Sequence, residues 1–370
     1  MMLSGKGWSE RTRSGLETLI AAGAGKNLPV VFDFDNTIVC GDIGEATLAL
    51  LAKEKYIKKD DIPAELAPPF RSPAGETVSL SACPDLTVYY EELLGATTHQ
   101  AGDFAPLSNG YVWAVEAMRG LSVAEVTGAT ELVYAQSEPF VARRIEVTPG
   151  VSSYPVPFFY PEMIELIAAL ITNRYEVWIV SASNAWTIRW MALRALNPML
   201  AALGCDEGIA PERVIGVSTL LSDREERLHK DHLLVRAERR YADMDREYLD
   251  GLRLTARTVY PAPTYSGKVA CVLDLIGRRP FLAAGDSPGD LPMLEYAENR
   301  LWVARLEKPV YQQEMAAMAE GNPAGKWLIQ PALCVDATGF ACDIGRLETR
   351  GGDERSSVIA DSIKYVRELL

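Results

Sequence analysis

Val30–Thr37 reads V-V-F-D-F-D-N-T, an apolar run that ends in two carboxylates one residue apart, Asp33 and Asp35, followed by Thr37. Such a run suits a buried strand of an open α/β sheet, and acids at its C-terminal end stand where those sheets bind ligands. One carboxylate could serve as nucleophile and the other as general acid and base, a division of labour suited to phosphoryl transfer. Taken alone, the segment is equally a strand end capped by a solvated turn, because Asp and Asn are common there.

Three further segments follow in order. Glu176–Ser183, E-V-W-I-V-S-A-S, is an apolar strand ending in the hydroxyl of Ser181. Tyr265–Lys268, Y-S-G-K, sets a lone lysine after a Pro-rich approach and before the helix-like apolar pattern Val269, Cys271, Val272, Leu275 and Ile276. Phe281–Leu291, F-L-A-A-G-D-S-P-G-D-L, is a strand leading to a second acidic pair, Asp286 and Asp290.

Together these resemble the four motifs of the haloacid dehalogenase (HAD) superfamily: D-x-D-x-T, a strand-end Ser or Thr, a Lys, and G-D-x-x-x-D. The resemblance implies a Rossmann-like parallel sheet core and a Mg²⁺-dependent enzyme, because a phosphate dianion repels a carboxylate nucleophile unless a divalent cation screens the approach. It makes Asp33 the nucleophile and Asp35 the acid and base. Asp33 and Asp286 would bind the metal through side-chain oxygen and Asp35 through its main-chain carbonyl, with Asp290 a nearby ligand or the partner that holds Lys268. Ser181 and Lys268 would bind phosphoryl oxygens, and Thr37 would tie down the turn. Dehalogenases match less well, since they need no acid such as Asp35. The P-type ATPase signature is absent, with Phe34 where it has Lys.

Length and composition suit one enzyme with a large insertion. The chain has 370 residues, 48% of them hydrophobic. A net charge of −13 and a pI near 4.9 argue against nucleic acid or anionic membrane as partner. No apolar run reaches transmembrane length. The start, M-M-L-S-G-K-G-W, lacks the apolar core of a signal peptide and predicts a cytoplasmic protein. Six cysteines without C-x-x-C spacing read as mostly buried free thiols, a Cys334–Cys342 bridge being the alternative.

Along the chain, residues 8–24 predict an amphipathic helix with Leu16, Leu19 and Ile20 on one face. About 145 residues separate the first motif from the second, more than a βαβ crossover needs. Helix-like stretches fill that interval at Glu45–Lys53, Leu86–Leu94, Tyr111–Arg119 and Val123–Ala135, with a Pro-rich break at Ile62–Pro73. The expected organisation is an α/β core from 1–40 and 154–370, a mainly helical cap over 41–153, and a secondary insertion over 222–262. Between the second and third motifs, Val214–Leu221 and Leu254–Tyr260 predict strands, and the charged stretch Asp223–Leu252 predicts helix. The H-K-D-H pair His229 and His232 has the wrong spacing for a metal site on one helical face. A polar tail, Arg350–Ser357, precedes a final helix through Ile359, Ile363, Val366 and Leu370.

From Trp8 to about Val310 the chain is similar to the phosphorylcholine phosphatase branch of the superfamily. The likeness lies in the W…L-x-x-L-I…A-G-K lead-in, D-x-D-N-T followed by G-D-I-G-E, Tyr89-Tyr90, Tyr111–Val126, and the strings V-I-G-V-S-T-L-L and A-G-D-S-P-G-D. That branch is commonly exported. It implies hydrolysis of phosphocholine-like monoesters with the alkylammonium group held by aromatic faces and an anion. Candidates are Tyr89, Tyr90, Tyr111 and Trp113, with Glu45, Glu91 or Glu92; packing inside the cap is the competing role for the aromatics. Where the branch tends to carry two adjacent acids after the nucleophile loop, this chain has Gly44 then Glu45, which predicts a weaker choline preference. The expected activity is phosphomonoester hydrolysis on a small substrate. Alternatives are a phosphomutase, a phosphatase for phosphoserine- or phosphoethanolamine-like substrates, and a catalytically silent binding protein.

Overall fold

The computed structural model describes residues 3–98, 109–231, 243, 245–321, 325–335, 337–344 and 354–367. Its centre is a seven-stranded sheet: β1 (Pro29–Phe32), β2 (Glu176–Asn184), β3 (Val214–Val217), β4 (Leu282–Gly285), β5 (Asn299–Arg305), β6 (Trp327–Leu333) and β7 (Gly339–Phe340). The spatial order is β7-β6-β5-β4-β1-β2-β3, parallel throughout except for β7, which runs antiparallel to β6.

Alternation along β1 shows why the run is apolar throughout. Val30 and Phe32 pack on one face with Leu16, Met163, Leu166 and Trp186, while Val31 packs on the other with Trp302, Met293, Met315 and Ile363. Each fully buried side chain of this kind contributes about 1.5–3 kcal/mol. Helices Glu10–Gly23, Pro161–Thr172 and Ala185–Trp190 supply the first face; Ser266–Cys271, Leu291–Tyr296, Pro309–Gly321 and Glu354–Val366 supply the second. The molecule is therefore a doubly wound α/β structure, as expected. Chain order runs one way from β1 through β2 to β3 and the other way from β1 through β4 to β6. The strand ends of β1 and β4 thus form the switch point where such sheets leave a crevice.

The chain leaves the sheet after β1 through Val39–Cys40 and returns through Phe158–Phe159, which pair antiparallel. Between them lie helices Ile43–Lys53, Leu86–Thr98, Gly110–Glu116 and Val123–Tyr134, together with two hairpins, Phe70–Arg71 with Thr77–Val78 and Arg144–Thr148 with Ser152–Pro155. The second hairpin runs across the boundary expected at residue 153, because Tyr154 is buried and cross-strand paired with Ile145.

The 222–262 region differs from expectation at one place, Leu228–His229. Leu228–His229 forms a strand on Thr219–Ser222, which also pairs with Arg253–Thr258; of the expected helix, the described residues show a helical Asp231 and Arg246–Asp250. Residues 232–242 and 244 lie outside the described residues, His232 among them. Charge density signals exposure, and an exposed hairpin satisfies it as well as a helix. Backbone bonds from Gly120 and Val123 to Leu254 and Leu252 tie this arm to the first insertion. At the C-terminus, residues 354–357 of the expected polar tail are already helical, and 350–353 lie outside the described residues, as does Leu370. Cys334 and Cys342 are free thiols, Cys334 lying 3.0 Å from the Tyr160 hydroxyl.

Candidate active site

All four motif segments converge by direct side-chain contact: the first, third and fourth meet at the crevice between β1 and β4, and the second meets Asp35 beside it. Asp33 follows β1 directly, its N–H donating to Ala284 of β4 at 2.9 Å. Beyond it the chain turns back on itself. The N–H groups of Thr37, Ile38 and Val39 all reach the Phe34 carbonyl, and Asn36 takes the left-handed conformation (φ 58°) that Asn tolerates. This turn buries Thr37 so that its hydroxyl spans Asp33 Oδ2 (3.2 Å) and Asp286 Oδ1 (3.1 Å).

Lys268 enters from the first turns of Ser266–Cys271, and its Nζ donates to Asp33 Oδ1 at 2.6 Å and Asp290 Oδ1 at 2.5 Å. The residue before this helix, Tyr265, is held at φ 50°, ψ −127°, a costly conformation for a non-glycine residue. Asp290 Oδ2 accepts from the N–H groups of Asp286 and Ser287 and from the Ser287 hydroxyl. Gly285 makes this possible: a Cβ there would lie 2.4 Å from that of Asp290. Asp286 Oδ2 accepts from Arg305 Nη1 at 3.0 Å.

Asp35 is oriented by the Ile43 N–H on Oδ1 (2.7 Å) and the Ser183 hydroxyl on Oδ2 (2.6 Å), with Ser181 Oγ more distant at 3.4 Å. Ser181 is fully buried and accepts the Ser183 N–H; Ala182 and Ser183 line the cavity instead. The cavity holds about 220 Å³. Its walls are the acids Asp33, Asp35, Asp42, Glu45 and Asp286, the cations Lys268, Arg305 and Lys308, and the rings of Tyr111, Tyr265 and Tyr311. A groove of about 590 Å³ between Ile43–Lys53, Val123–Tyr134 and Arg246–Asp250 is larger but touches none of the four motif segments.

Burial dominates the electrostatics. It pushes Asp33 well above the usual carboxylate range, aided by Asp290 and opposed by Lys268; it does the same to Asp35, aided by Asp42. Asp42 is raised by burial and by Glu45, Glu45 is pushed up to about 7 chiefly by burial, and Asp286 to about 6 by burial against the pull of Arg305. Burial alone would lower Lys268, but Asp290 and Asp33 outweigh it and hold the ammonium charged.

Carboxylate oxygens of Asp33, Asp286 and Asp290 lie within 4.8 Å of one another, the one such acidic or His/Cys grouping among the described residues. An all-oxygen, buried donor set matches a hard divalent cation such as Mg²⁺. Asp33 and Asp286 keep lone pairs beyond their observed bonds, whereas Asp290 already receives four donors. Asp290 thus fits the expected role of holding Lys268 better than that of ligand. His229 bonds Asp223 at 2.9 Å, away from this cluster.

Of the aromatic candidates, Tyr111 borders the cavity and Tyr90 reaches its edge through a 3.2 Å bond to Glu45. Tyr89 and Trp113 do not: their rings pack on each other at 5.0 Å, and their polar atoms bond the Pro68 and Leu66 carbonyls. Glu91 bonds Tyr154 and, like Glu92, is exposed. Sequence reasoning passed over Asp42, Ser183, Tyr265 as a wall residue, Arg305, Lys308 and Tyr311. Ser183 had a signal, since residues two apart on a strand share a face with Ser181; Lys308 and Tyr311 had none.

No family model matches this chain, and no curated protein does. Among solved structures, it is similar to a conserved functionally unknown protein from Anaerococcus prevotii DSM 20548, at 16% identity and TM-score 0.58 over 91% of this chain and 96% of that one. A protein of unknown function from Bordetella pertussis Tohama I gives 14% identity and TM-score 0.44 over 81% and 98% of the two chains. A HAD family hydrolase from Salmonella enterica serovar Typhi gives 13% and 0.38 over 81% and 74%. The first likeness shows a shared fold over nearly the whole chain. No helix among the described residues is long and apolar enough to cross a membrane.

Proposed function

We propose that this protein is a HAD-superfamily phosphomonoesterase, Mg²⁺-dependent, that works through an aspartyl phosphate on Asp33. One observation carries the reading: Asp33, Thr37, Lys268, Asp286 and Asp290, from three separate segments, form one hydrogen-bonded cluster at the sheet's switch point. Asp33 and Asp286, with the main-chain carbonyl of Asp35, would hold the metal. When bound it screens phosphate charge from the attacking carboxylate.

Asp33 forms the new P–O bond as the bond to the leaving oxygen breaks. Asp35, fixed by Ile43 and Ser183, delivers its proton to that oxygen and later takes one from the water that hydrolyses the acyl phosphate. Lys268 supplies positive charge beside the transferring group, and Ser181 supports Ser183 from below. The segment 41–157, between the paired strands Val39–Cys40 and Phe158–Phe159, acts as a cap, contributing Asp42, Glu45 and Tyr111 to the cavity. Tyrosine rings beside Glu45 favour a small phosphomonoester with a cationic group, phosphocholine or a relative such as phosphoethanolamine. Phosphate release from a panel of such esters, with and without Mg²⁺, tests the reading. Release from none of them by the Mg²⁺-loaded protein overturns it.

A further inference from the structure

Gly44 sits in the first turn of Ile43–Lys53, an ordinary helical position where glycine costs about 1 kcal/mol relative to alanine. The reason for it is across the crevice. A Cβ at Gly44 would lie 2.2 Å from Ser183 Oγ and 2.8 Å from Ser183 Cβ. Ser183 in turn is delivered by an irregular stretch, where the β2–β3 register slips between Val180 and Asn184, and such slips re-aim side chains. Gly216 of β3 leaves room for the Ser183 carbonyl, which a Cβ would approach to 2.8 Å. Two glycines on different elements therefore seat one serine, and that serine's hydroxyl is 2.6 Å from Asp35 Oδ2.

Resting on the phosphomonoesterase reading, we infer that Ser183 is a positioning residue for Asp35 and that Gly44 provides the space it occupies. With Oδ1 held by the Ile43 N–H, Oδ2 is the oxygen turned toward Ser183 at the cavity wall. Oδ2 accepts from Ser183 Oγ at 2.6 Å, with Ser181 Oγ at a longer 3.4 Å, so the Ser183 hydroxyl is the closer of the two that set the orientation of the carboxyl that passes its proton to the leaving oxygen. The hydroxyl remains a usable partner when Asp35 is a carboxylate and when it is an acid. Ser183 thereby fixes the carboxyl rotamer through both halves of the reaction.

The test compares kcat/KM, which reports steps through departure of the leaving group, on an alkyl phosphate such as phosphoethanolamine and on p-nitrophenyl phosphate, whose leaving group needs little protonation. Ser183→Ala is expected to lower the alkyl-to-aryl ratio about tenfold. Gly44→Ala, which drives the serine off Asp35, should lower it similarly, and Ser183→Thr, which keeps the hydroxyl, should restore most of it. An unchanged ratio in Ser183→Ala, or a ratio in Ser183→Thr as low as in the alanine variant, overturns the inference and leaves the phosphatase reading standing. A parent that releases phosphate from neither substrate overturns the reading and the inference together.

Discussion

Lys268 Nζ lies 2.6 Å from Asp33 Oδ1, although 235 residues separate the two in sequence. The pairing orients the carboxylate and leaves Oδ2, which accepts from Thr37 at 3.2 Å, on the side of Asp286. Asp33→Asn should therefore reduce phosphate release below about one thousandth of the parent value, because an amide does not attack phosphorus. Its far-UV circular dichroism should match the parent. Substantial turnover in this variant would rule out Asp33 as nucleophile.

Asp35→Asn keeps a similar shape but has no proton to give. Its kcat/KM should fall about a hundredfold or more on alkyl phosphates and much less on p-nitrophenyl phosphate. Equal losses on the two would assign Asp35 to geometry instead.

Thr37 bridges Asp33 and Asp286, so its hydroxyl sets their relative orientation. Thr37→Val should raise the Mg²⁺ concentration for half-maximal activity on the order of tenfold, the usual effect of removing a group that orients metal ligands. EDTA should silence the parent and added Mg²⁺ restore it. An unshifted Mg²⁺ titration would count against the bridge.

Glu45 is pushed up to about 7 from its ordinary 4.5, chiefly by burial. Between those values the folded protein holds a proton that the unfolded chain has released, so stability is full below about pH 4.5 and falls as pH rises through about 7. Glu45→Gln should remove this decline. Allowing for cavity water, the variant should gain on the order of 1–3 kcal/mol relative to the parent at pH 8 in EDTA, and little at pH 4.5. Parallel denaturation curves at both pH values would disprove the burial argument.

Tyr111 and Trp113, two residues apart on one helix, should separate function from packing. Tyr111→Ala and Glu45→Gln should lower kcat/KM for phosphocholine about thirtyfold relative to p-nitrophenyl phosphate, the value of one desolvated cation–π contact. Trp113→Ala should instead cost about 3–5 kcal/mol of stability, since its ring is buried against Tyr89. Equal effects of Tyr111→Ala on both substrates would remove the case for a cationic leaving group.

The α/β core was legible because strand signals are local: Val30–Phe32, Glu176–Ser183 and Phe281–Gly285 are apolar runs that sit on both faces of a parallel sheet. The acids and the lysine were legible as candidates because each directly follows such a run or opens the next helix; the strand-end serine was legible in place, but Ser181 is fully buried and Ser183 takes the cavity wall. In the charged stretch after Asp223, Leu228–His229 pairs as a strand where helix was expected, since hydrophilic sequence specifies exposure without specifying the element. Tyr89 and Trp113 were placed with the ligand candidates because aromatic residues look alike in sequence whether they line a cavity or fill a core.

The sequence by itself determined which residues could do chemistry, since carboxylates at strand ends and a lone lysine at a helix start are fixed by local pattern. Only the tertiary structure decided which hydroxyl meets Asp35. Ser181 and Ser183 share a strand face, yet Ser183 makes the shorter bond, 2.6 Å against 3.4 Å, in a space that a Cβ at Gly44, far away in the chain, would fill. The placement of Arg305 on Asp286 and of Tyr111, Tyr265 and Tyr311 around one cavity was likewise decided by packing between segments. Excluded volume and burial act between residues that sequence order does not bring together, so no local pattern encodes them.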